Sequence, residues 1–366
     1  MQHAVLRLVM LGAWLFIIAG LARAVEFNPA GDLKTQAETL VNVDNPEYLQ
    51  GLKKVVITNF MVDFVSELKY SKNLSGLEAL MGADSDVSIK LLGTSNEHYQ
   101  TITDKLYDQT VSLLQAQGIE VVDRAVLDAL PEFVELKEKG ITPVPSEQDA
   151  KTGKGLFFTA KGLPLYLADE AQFIPTFRGP FSKPKEDLFL TFGSRFSGGF
   201  SAGQSQMLEE AIAKKNEASV LKVRLTVMGG QLTPDTSFWS SGKVSTRAAA
   251  TFVDFVTRFA FISPEGKKAR VGLKESIHTE DIGELINITS SGTKTTDTAK
   301  NVGLVALNVA AFAARLGGVS APGVGGFSST TEYECRVQPE SFETKLTSYH
   351  AGIVGMFAEK MRNPGQ

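Results

Sequence analysis

The stretch LLQAQGIEVVDRAVLDAL, residues 113–130, constrains the fold of this chain more than any other segment. It opens on a helical pattern, breaks at Gly118, runs through the apolar pair Val121-Val122, and closes on Asp123-Arg124 before another helical start. Glycine suits the residue after a helix because it adopts a left-handed conformation without a Cβ penalty. The stretch therefore predicts a helix, a short strand and a second helix.

Helical patterns continue on both sides of this unit. Upstream, the segment NEHYQTITDKLYDQTVSLLQAQG sets four side chains on one helical face, namely Tyr99, Ile102, Leu106 and Leu113. Downstream, AVLDALPEFVELKEKG is predicted to be a helix that Pro131 interrupts near its middle. The segment SAGQSQMLEEAIAKKNEA predicts a further helix, because its apolar residues recur at helical spacing opposite lysines and glutamates.

The remaining patterned segments predict strands. LKKVVITNF contains a β-branched run, and LKVRLTV alternates apolar residues with Lys222, Arg224 and Thr226, which predicts a half-solvated strand. We therefore predict an α/β fold, in which a mixed sheet starts as strand-helix-strand-helix, ends in antiparallel strands and carries helices packed on it. The expected strands are 53–60, 119–122, 220–228, 250–262 and 268–277, and the expected covering helices are 97–117 and 203–215.

The amino terminus predicts export. Arg7 precedes the apolar run LVMLGAWLFIIAGL, and Ala22-Arg23-Ala24 supplies the small-x-small pattern of a signal-peptidase site. The run of about 14 residues is shorter than the roughly 20 that an anchor helix needs, which favours a cleaved signal over an uncleaved anchor. The only cysteine, Cys335, is far from this signal and cannot carry a lipid there. We expect a periplasmic or extracellular protein, with association to the outer membrane left open.

Composition along the chain predicts five parts. Residues 1–24 are assigned to the signal peptide, 25–50 to a polar leader without a sustained period, and 51–284 to the α/β domain. Prolines and glycines between 140 and 187 predict a long surface insertion with short extended pieces in that domain. The stretch between Lys69 and Ser95 is rich in loop-forming residues, which predicts a loop. Residues 285–366 are assigned to an additional helical carboxyl-terminal region.

Three segments resemble a known family. KKVVITNF is similar to the first strand of the curli-secretion-channel (CsgG-like) family and the related TolB amino-terminal domains, LLQAQGIEVVDRAVLDAL to its helix, second strand and turn, and FAFISPEGKKARVGLKES to a later strand-turn-strand unit. The resemblance covers roughly residues 52–280, apart from the insertion. It implies a periplasmic domain of a secretion or surface-assembly system. The chain departs from the family in lacking a lipid-bearing cysteine, in the sequence Asn216-Glu217-Ala218-Ser219, and beyond residue 285.

The sequence offers few groups for catalysis or metal binding. After the signal it has only His98, His278 and His350, which lack ligand spacing, so we predict no metal and no cofactor. His278 lies near several carboxylates, where an acid-base pair competes with an ordinary solvated strand end. In the glycine-rich stretch GSRFSGGFSAGQS, Arg195 is a candidate anion-binding residue, although an ordinary strand-to-helix turn is the leading explanation of the stretch.

The segment TPDTSFWSSGK sets Phe238 and Trp239 among turn-forming residues, which makes this pair our candidate protein-binding site. The alternative is that both rings fold back over the sheet edge. The resemblance favours the first reading, because the family's later strand connections carry membrane-inserting hairpins. The apolar run 302–314 is too short to span a membrane and predicts a buried helix, with insertion into a membrane or a partner groove as the alternative.

Charge excludes one class of partner. The net charge is -4, and charges of both signs are interspersed, which gives no basic stripe for nucleic acid. The sequence therefore predicts a non-enzymatic exported envelope protein whose partners are other envelope proteins or copies of itself. The alternative class is a secreted hydrolase with an active site that the sequence does not reveal.

Overall fold

The computed structural model describes residues 27–70, 85–150, 153–166, 200, 203–234, 244–254, 256–288 and 329–364. The helices of these residues are α1 (Leu33–Leu40), α2 (Asn96–Ala116), α3 (Arg124–Asp128), α4 (Pro131–Lys139), α5 (Gln204–Asn216) and α6 (Pro339–Arg362). The strands are β1 (Val41–Asp44), β2 (Lys54–Tyr70), β3 (Ser85–Leu92), β4 (Glu120–Val121), β5 (Ser146–Ala150), β6 (Gly153–Thr159), β7 (Ser219–Pro234), β8 (Val244–Phe252), β9 (Arg258–Ile262), β10 (Lys268–Leu273), β11 (Ile277–Asp281), β12 (Gly283–Asn287) and β13 (Ser329–Val337).

These strands form one mixed sheet, which confirms the predicted α/β class. Its main path runs β1-β10-β9-β7-β2-β3-β13-β12. The pair β8-β11 continues from β7, while β4 and the hairpin β5-β6 attach to β2. The pairs β2-β4 and β2-β7 are parallel, and the pairs β9-β10 and β7-β9 are antiparallel. This agrees with the predicted order, in which strands that alternate with helices are followed by antiparallel strands.

Helices cover both faces of the long strand β2. On one face, Phe60 makes an edge contact with Tyr107 of α2, and Phe64 contacts Phe342 of α6. On the other face, Asn59 donates hydrogen bonds to the backbone carbonyls of Pro164 and Tyr166. Since both faces are covered, β2 is buried on both sides and is the centre of the core.

The unit that contains α2, β4, α3 and α4 follows the sequence signals closely. Gly118 has a φ of +79° directly after α2, and the next N–H groups bond back to the last helical turn. The Asp123 side chain caps α3 by accepting the Ala125 N–H at 2.7 Å. Pro131 is the first residue of α4, where its missing N–H costs nothing. The predicted interruption by Pro131 is therefore confirmed.

The predicted polar leader is wrong for the described residues 27–50. They contain α1 and β1, and β1 pairs antiparallel with β10 at the edge of the sheet. A Cβ on Gly352 of α6 would lie 2.6 Å from Phe27 Cζ, so the glycine lets this segment approach α6 closely. Pairing with a distant strand and helix, rather than a local apolar period, orders these residues.

Three further segment assignments change. Ser85–Leu92, predicted to be loop, is β3, and residues 146–150 and 153–159 of the predicted surface insertion are β5 and β6. Phe157 and Phe158 of β6 are fully buried beside β2. The region after 285 ends in the predicted helix, α6, but it also contributes β12 and β13 to the sheet. The rest of the insertion, 167–187, and the apolar run 302–314 lie outside the described residues.

Candidate functional site

One end of the sheet gathers four strand-to-strand connections. Because β2 and β7 are parallel, their connections to β3 and β8 leave from the same end. The β5-β6 connection lies at this end because Gly153 of β6 pairs with Leu68 of β2, and the β12-β13 connection joins them because β13 is parallel to β3. We call this the hairpin end. The sequence between the paired strands there spans 71–84, 151–152, 235–243 and 288–328.

Near the hairpin end, the sheet divides into two layers. The β2-β7 register ends at the pair Val65 and Met228, after which β7 pairs only with β8. The next residues are Gly229 and Gly230, and Gly230 has a φ of +86° that favours glycine. A Cβ on Gly229 would overlap Leu91 of β3, so the absence of a side chain lets β7 cross closely over β3. Strands β7 and β8 thus lie over the β3-β13-β12 layer.

The polar face of β7 is buried, which corrects the predicted half-solvated strand. Lys222, Arg224 and Thr226 are all nearly inaccessible to solvent. Thr226 lies opposite Asp63 of β2, and its hydroxyl donates to Asp63 Oδ2 at 3.5 Å. Strict alternation of charged and apolar residues predicts that the charged face is exposed to solvent. In this structure the charged face is also packed.

Asp63 is the most perturbed acid of this face. Burial raises the pKa of its carboxyl to about 7, against the opposing attraction of the Arg224 guanidinium. Its Oδ1 accepts no hydrogen bond in the described part of the chain. A buried carboxyl in such a setting favours the neutral form near neutral pH. Asp63 is 1% exposed, so a substrate has no direct access to its carboxyl.

A buried ion pair lies at the other end of the same face. Lys222 Nζ lies 3.1 Å from Glu209 Oε2 of α5, and the exposed fractions of the two side chains are 2% and 0%. The Tyr166 hydroxyl donates to Glu209 Oε1 at 2.6 Å and also contacts Thr58. Together these bonds fix α5 on the sheet. A lysine, a glutamate and a tyrosine are reactive groups, but their burial gives a substrate no access.

The three histidines lie on separate elements and form no common site. His278 of β11 bonds through Nδ1 to the Thr251 hydroxyl at 2.8 Å, which supports the strand interpretation over an acid-base pair. His350 of α6 is fully buried between Gln109 and Thr110 of α2, and burial lowers its pKa to about 3. In the described ranges, no group of histidine, cysteine and carboxylate side chains could hold a metal ion.

Cys335 is a fully buried residue of strand β13. It pairs with Leu285 on β12, and burial raises the pKa of its thiol to about 12. The thiolate is the reactive form of cysteine. A thiol with a raised pKa and no exposure therefore serves packing.

The candidate site residues from the sequence fall outside the described residues. Phe238 and Trp239 belong to 235–243, at the connection between β7 and β8, and Arg195 belongs to 167–199. Their roles stay predictions. The structure adds the position of the flanking strands. Strand β7 ends and strand β8 begins at the hairpin end, where the three other connections also leave the sheet. Sequence reasoning missed this gathering because it did not identify β3 or β12 as strands.

Two further findings concern membrane-spanning helices and similarity to known proteins. None of the helices in the described ranges is both long and apolar enough to cross a bilayer. No protein-family model, curated protein or solved structure matches the chain.

Proposed function

We propose that this chain is an exported, non-enzymatic component of the cell envelope that binds other envelope proteins or copies of itself through the hairpin end of its sheet. The observation that carries the proposal is the gathering of four strand connections at one end. Binding loops on one end of a rigid sheet are a common arrangement for recognition. The secretion-signal pattern at residues 1–24 supports export.

The sequence of these connections supports contact with a partner. One of them carries the adjacent aromatics Phe238 and Trp239, and another contains the apolar run 302–314. Aromatic residues dominate the binding energy of many protein interfaces because they bury large areas at low entropic cost. The similarity of three segments to curli-secretion-channel proteins favours a role in secretion or surface assembly. Contact with the outer membrane at the same end is a further part of the proposal.

The test is the mass of the protein in solution, measured by light scattering after gel filtration of the chain recovered from cell envelopes. We expect an assembly larger than one chain, which Trp239→Ala dissociates or weakens without lowering the melting temperature. Tyr48→Ala is the matched control, since Tyr48 is an exposed aromatic that follows β1, away from the hairpin end.

Two results would contradict the proposal. The first is a monomer at all concentrations that captures no envelope protein. The second is a Trp239→Ala variant that loses several kcal/mol of stability while its assembly stays intact, because that outcome assigns Trp239 to the core.

A further inference from the structure

A groove with a volume of about 450 Å³ runs beside β4, between α2 and the start of α3. Strand β4 pairs with β2 on one side, and no described strand pairs with its other edge. Glu120 and Val122 donate their N–H groups to the carbonyls of Lys53 and Val55. Because consecutive strand residues alternate in direction, the backbone N–H and C=O of Val121 point away from β2. Val121 also lines the groove, so this free edge is accessible from it.

Three valines form an apolar part of the groove lining, which we call the valine floor. Val111, Val121 and Val122 line it and are each half-buried. The ring of Tyr107 extends this floor and packs edge-on against Phe60, with 5.5 Å between the ring centroids. Burial raises the pKa of the Tyr107 hydroxyl, which therefore stays protonated and can donate a hydrogen bond. An apolar side chain of a ligand would lose water on this floor.

Two of the three charged residues that line the rim of the groove are acidic. Asp108 of α2 and Asp123, which precedes α3, both line it and are exposed. Arg124 also lines the rim, but its guanidinium is engaged inside the chain, with Nε 3.3 Å from Asp128 Oδ1 and a second nitrogen bonded to the Gly162 carbonyl. Asp128 also pairs with Lys137, whose Nζ lies 2.9 Å from the same Oδ1. The groove lining therefore carries two exposed carboxylates against one guanidinium that is held inside the chain, which favours a cationic ligand.

We propose that this groove binds an extended peptide segment of a partner protein, one that carries lysine or arginine beside apolar residues. The peptide backbone pairs with the free edge at Val121, an apolar side chain packs on the valine floor, and the cationic group lies between the two aspartates. Strand addition of this kind takes affinity from backbone hydrogen bonds and specificity from alternate side chains. Charge complementarity between the rim and a basic ligand adds selectivity.

This binding site is separate from the hairpin end. Strand β4 pairs with Lys54 and Val55 at the start of β2, whereas the hairpin end begins after Tyr70. The two ends are about 50 Å apart at the usual rise of a strand. The inference therefore goes beyond the proposed function, and peptide binding can succeed or fail independently of assembly.

Fluorescence anisotropy of a labelled synthetic peptide, TVKVKVT, titrated with the purified full chain at low salt tests the proposal. We expect saturable binding, loss of binding for the acidic counterpart TVEVEVT, and loss for a peptide whose valines are N-methylated. The protein variant Asp108→Asn with Asp123→Asn should weaken binding roughly tenfold, since each exposed ion pair contributes up to about 1 kcal/mol. Asparagine retains the helix cap at position 123.

The matched control removes two carboxylates elsewhere. Glu38 of α1 and Glu138 of α4 are exposed and do not line the groove, so Glu38→Gln with Glu138→Gln should bind TVKVKVT as the unmodified chain does. Circular dichroism melting establishes that both double variants are folded. The proposal is wrong if TVKVKVT does not bind at millimolar protein, if TVEVEVT binds equally well, or if both double variants bind with the same affinity.

Discussion

Replacing Lys222 with methionine should sharply destabilise the protein. Methionine matches the length of the lysine stem but removes the ammonium group that lies 3.1 Å from Glu209 Oε2. The carboxylate of Glu209, which is 0% exposed, then keeps the Tyr166 hydroxyl but loses the Lys222 ammonium. Breaking a buried ion pair by removing one partner typically costs about 3–5 kcal/mol, because an uncompensated charge stays buried.

A double variant and a surface pair define the size of this effect. Lys222→Met combined with Glu209→Leu removes both charges, and replacing a buried pair by apolar residues is often close to neutral. We therefore expect the double variant to recover most of the lost stability. Lys215 and Glu132 provide the control, since they form a 2.6 Å ion pair in which the lysine side chain is 48% exposed. Lys215→Met should cost less than about 1 kcal/mol.

Urea denaturation followed by circular dichroism measures these differences. A loss of about 3 kcal/mol lowers the urea midpoint by about 1 M if the slope is about 3 kcal/mol per molar. The reasoning is refuted if Lys222→Met unfolds at the same urea concentration as Lys215→Met. It is also refuted if the costs of Lys222→Met and Glu209→Leu add in the double variant, because additivity means that the two groups do not interact.

Three other predictions follow from the described residues and the sequence. Val223→Asp should lower the free energy of unfolding by several kcal/mol, since Val223 is buried and a charge placed there is desolvated. A melting temperature like that of the unmodified chain would contradict the register of β7. Burial raises the pKa of Asp63 from 3.8 to about 7, so its contribution to stability is greatest below about pH 4 and is lost as the pH rises to 7. Asp63→Asn should remove this loss, and unfolding titrations that keep the same pH slope would refute it. Amino-terminal sequencing of protein from the cell envelope should begin near Val25, whereas an intact Met1 in the cytoplasm would contradict export.

Elements with strong local signals were predictable from the sequence. The helix before Gly118, the capped start at Asp123 and the helix that begins at Pro131 all depend on contacts within a few residues. The β9-β10 hairpin was equally local, since Gly266 takes the left-handed conformation in its turn with a φ of +75°. Such signals are sufficient because turns and caps are built from neighbouring residues.

Elements that depend on distant partners were not predictable. SEQDA is too polar to indicate a strand, and it is ordered by pairing with β6. SDVSIKLL alternates apolar and polar residues, but the Ser-, Gly-, Asn- and Asp-rich segment around it predicts a loop, and pairing with β13 and β2 orders it. The buried face of β7 shows the same limit, because alternation indicates two chemically different faces but not what covers each one. Glu209 compensates Lys222 from another element, and no pattern within LKVRLTV reveals that helix.

For the candidate site, individual residues were predictable but their arrangement was not. Phe238 and Trp239 are candidate protein-binding residues because they are aromatics in a turn-rich segment, and this role stays a prediction. Their connection shares one end with three others only because β3, β5, β12 and β13 pair as they do. Those pairings join residues far apart in the chain, so composition and periodicity do not predict them.

The contact between the first and last described helices bears on when the protein can fold during its synthesis. Phe27 and Tyr349 pack with 5.6 Å between their ring centroids, and Gly355 of α6 lies against Leu33 of α1. These partners are about 320 residues apart, so a growing chain must wait for nearly all of its length before this part of the core closes. Until α6 emerges from the ribosome, the apolar faces of α1 and α2 have no cover from it, and a nascent chain paused before residue 339 presents those faces to chaperones.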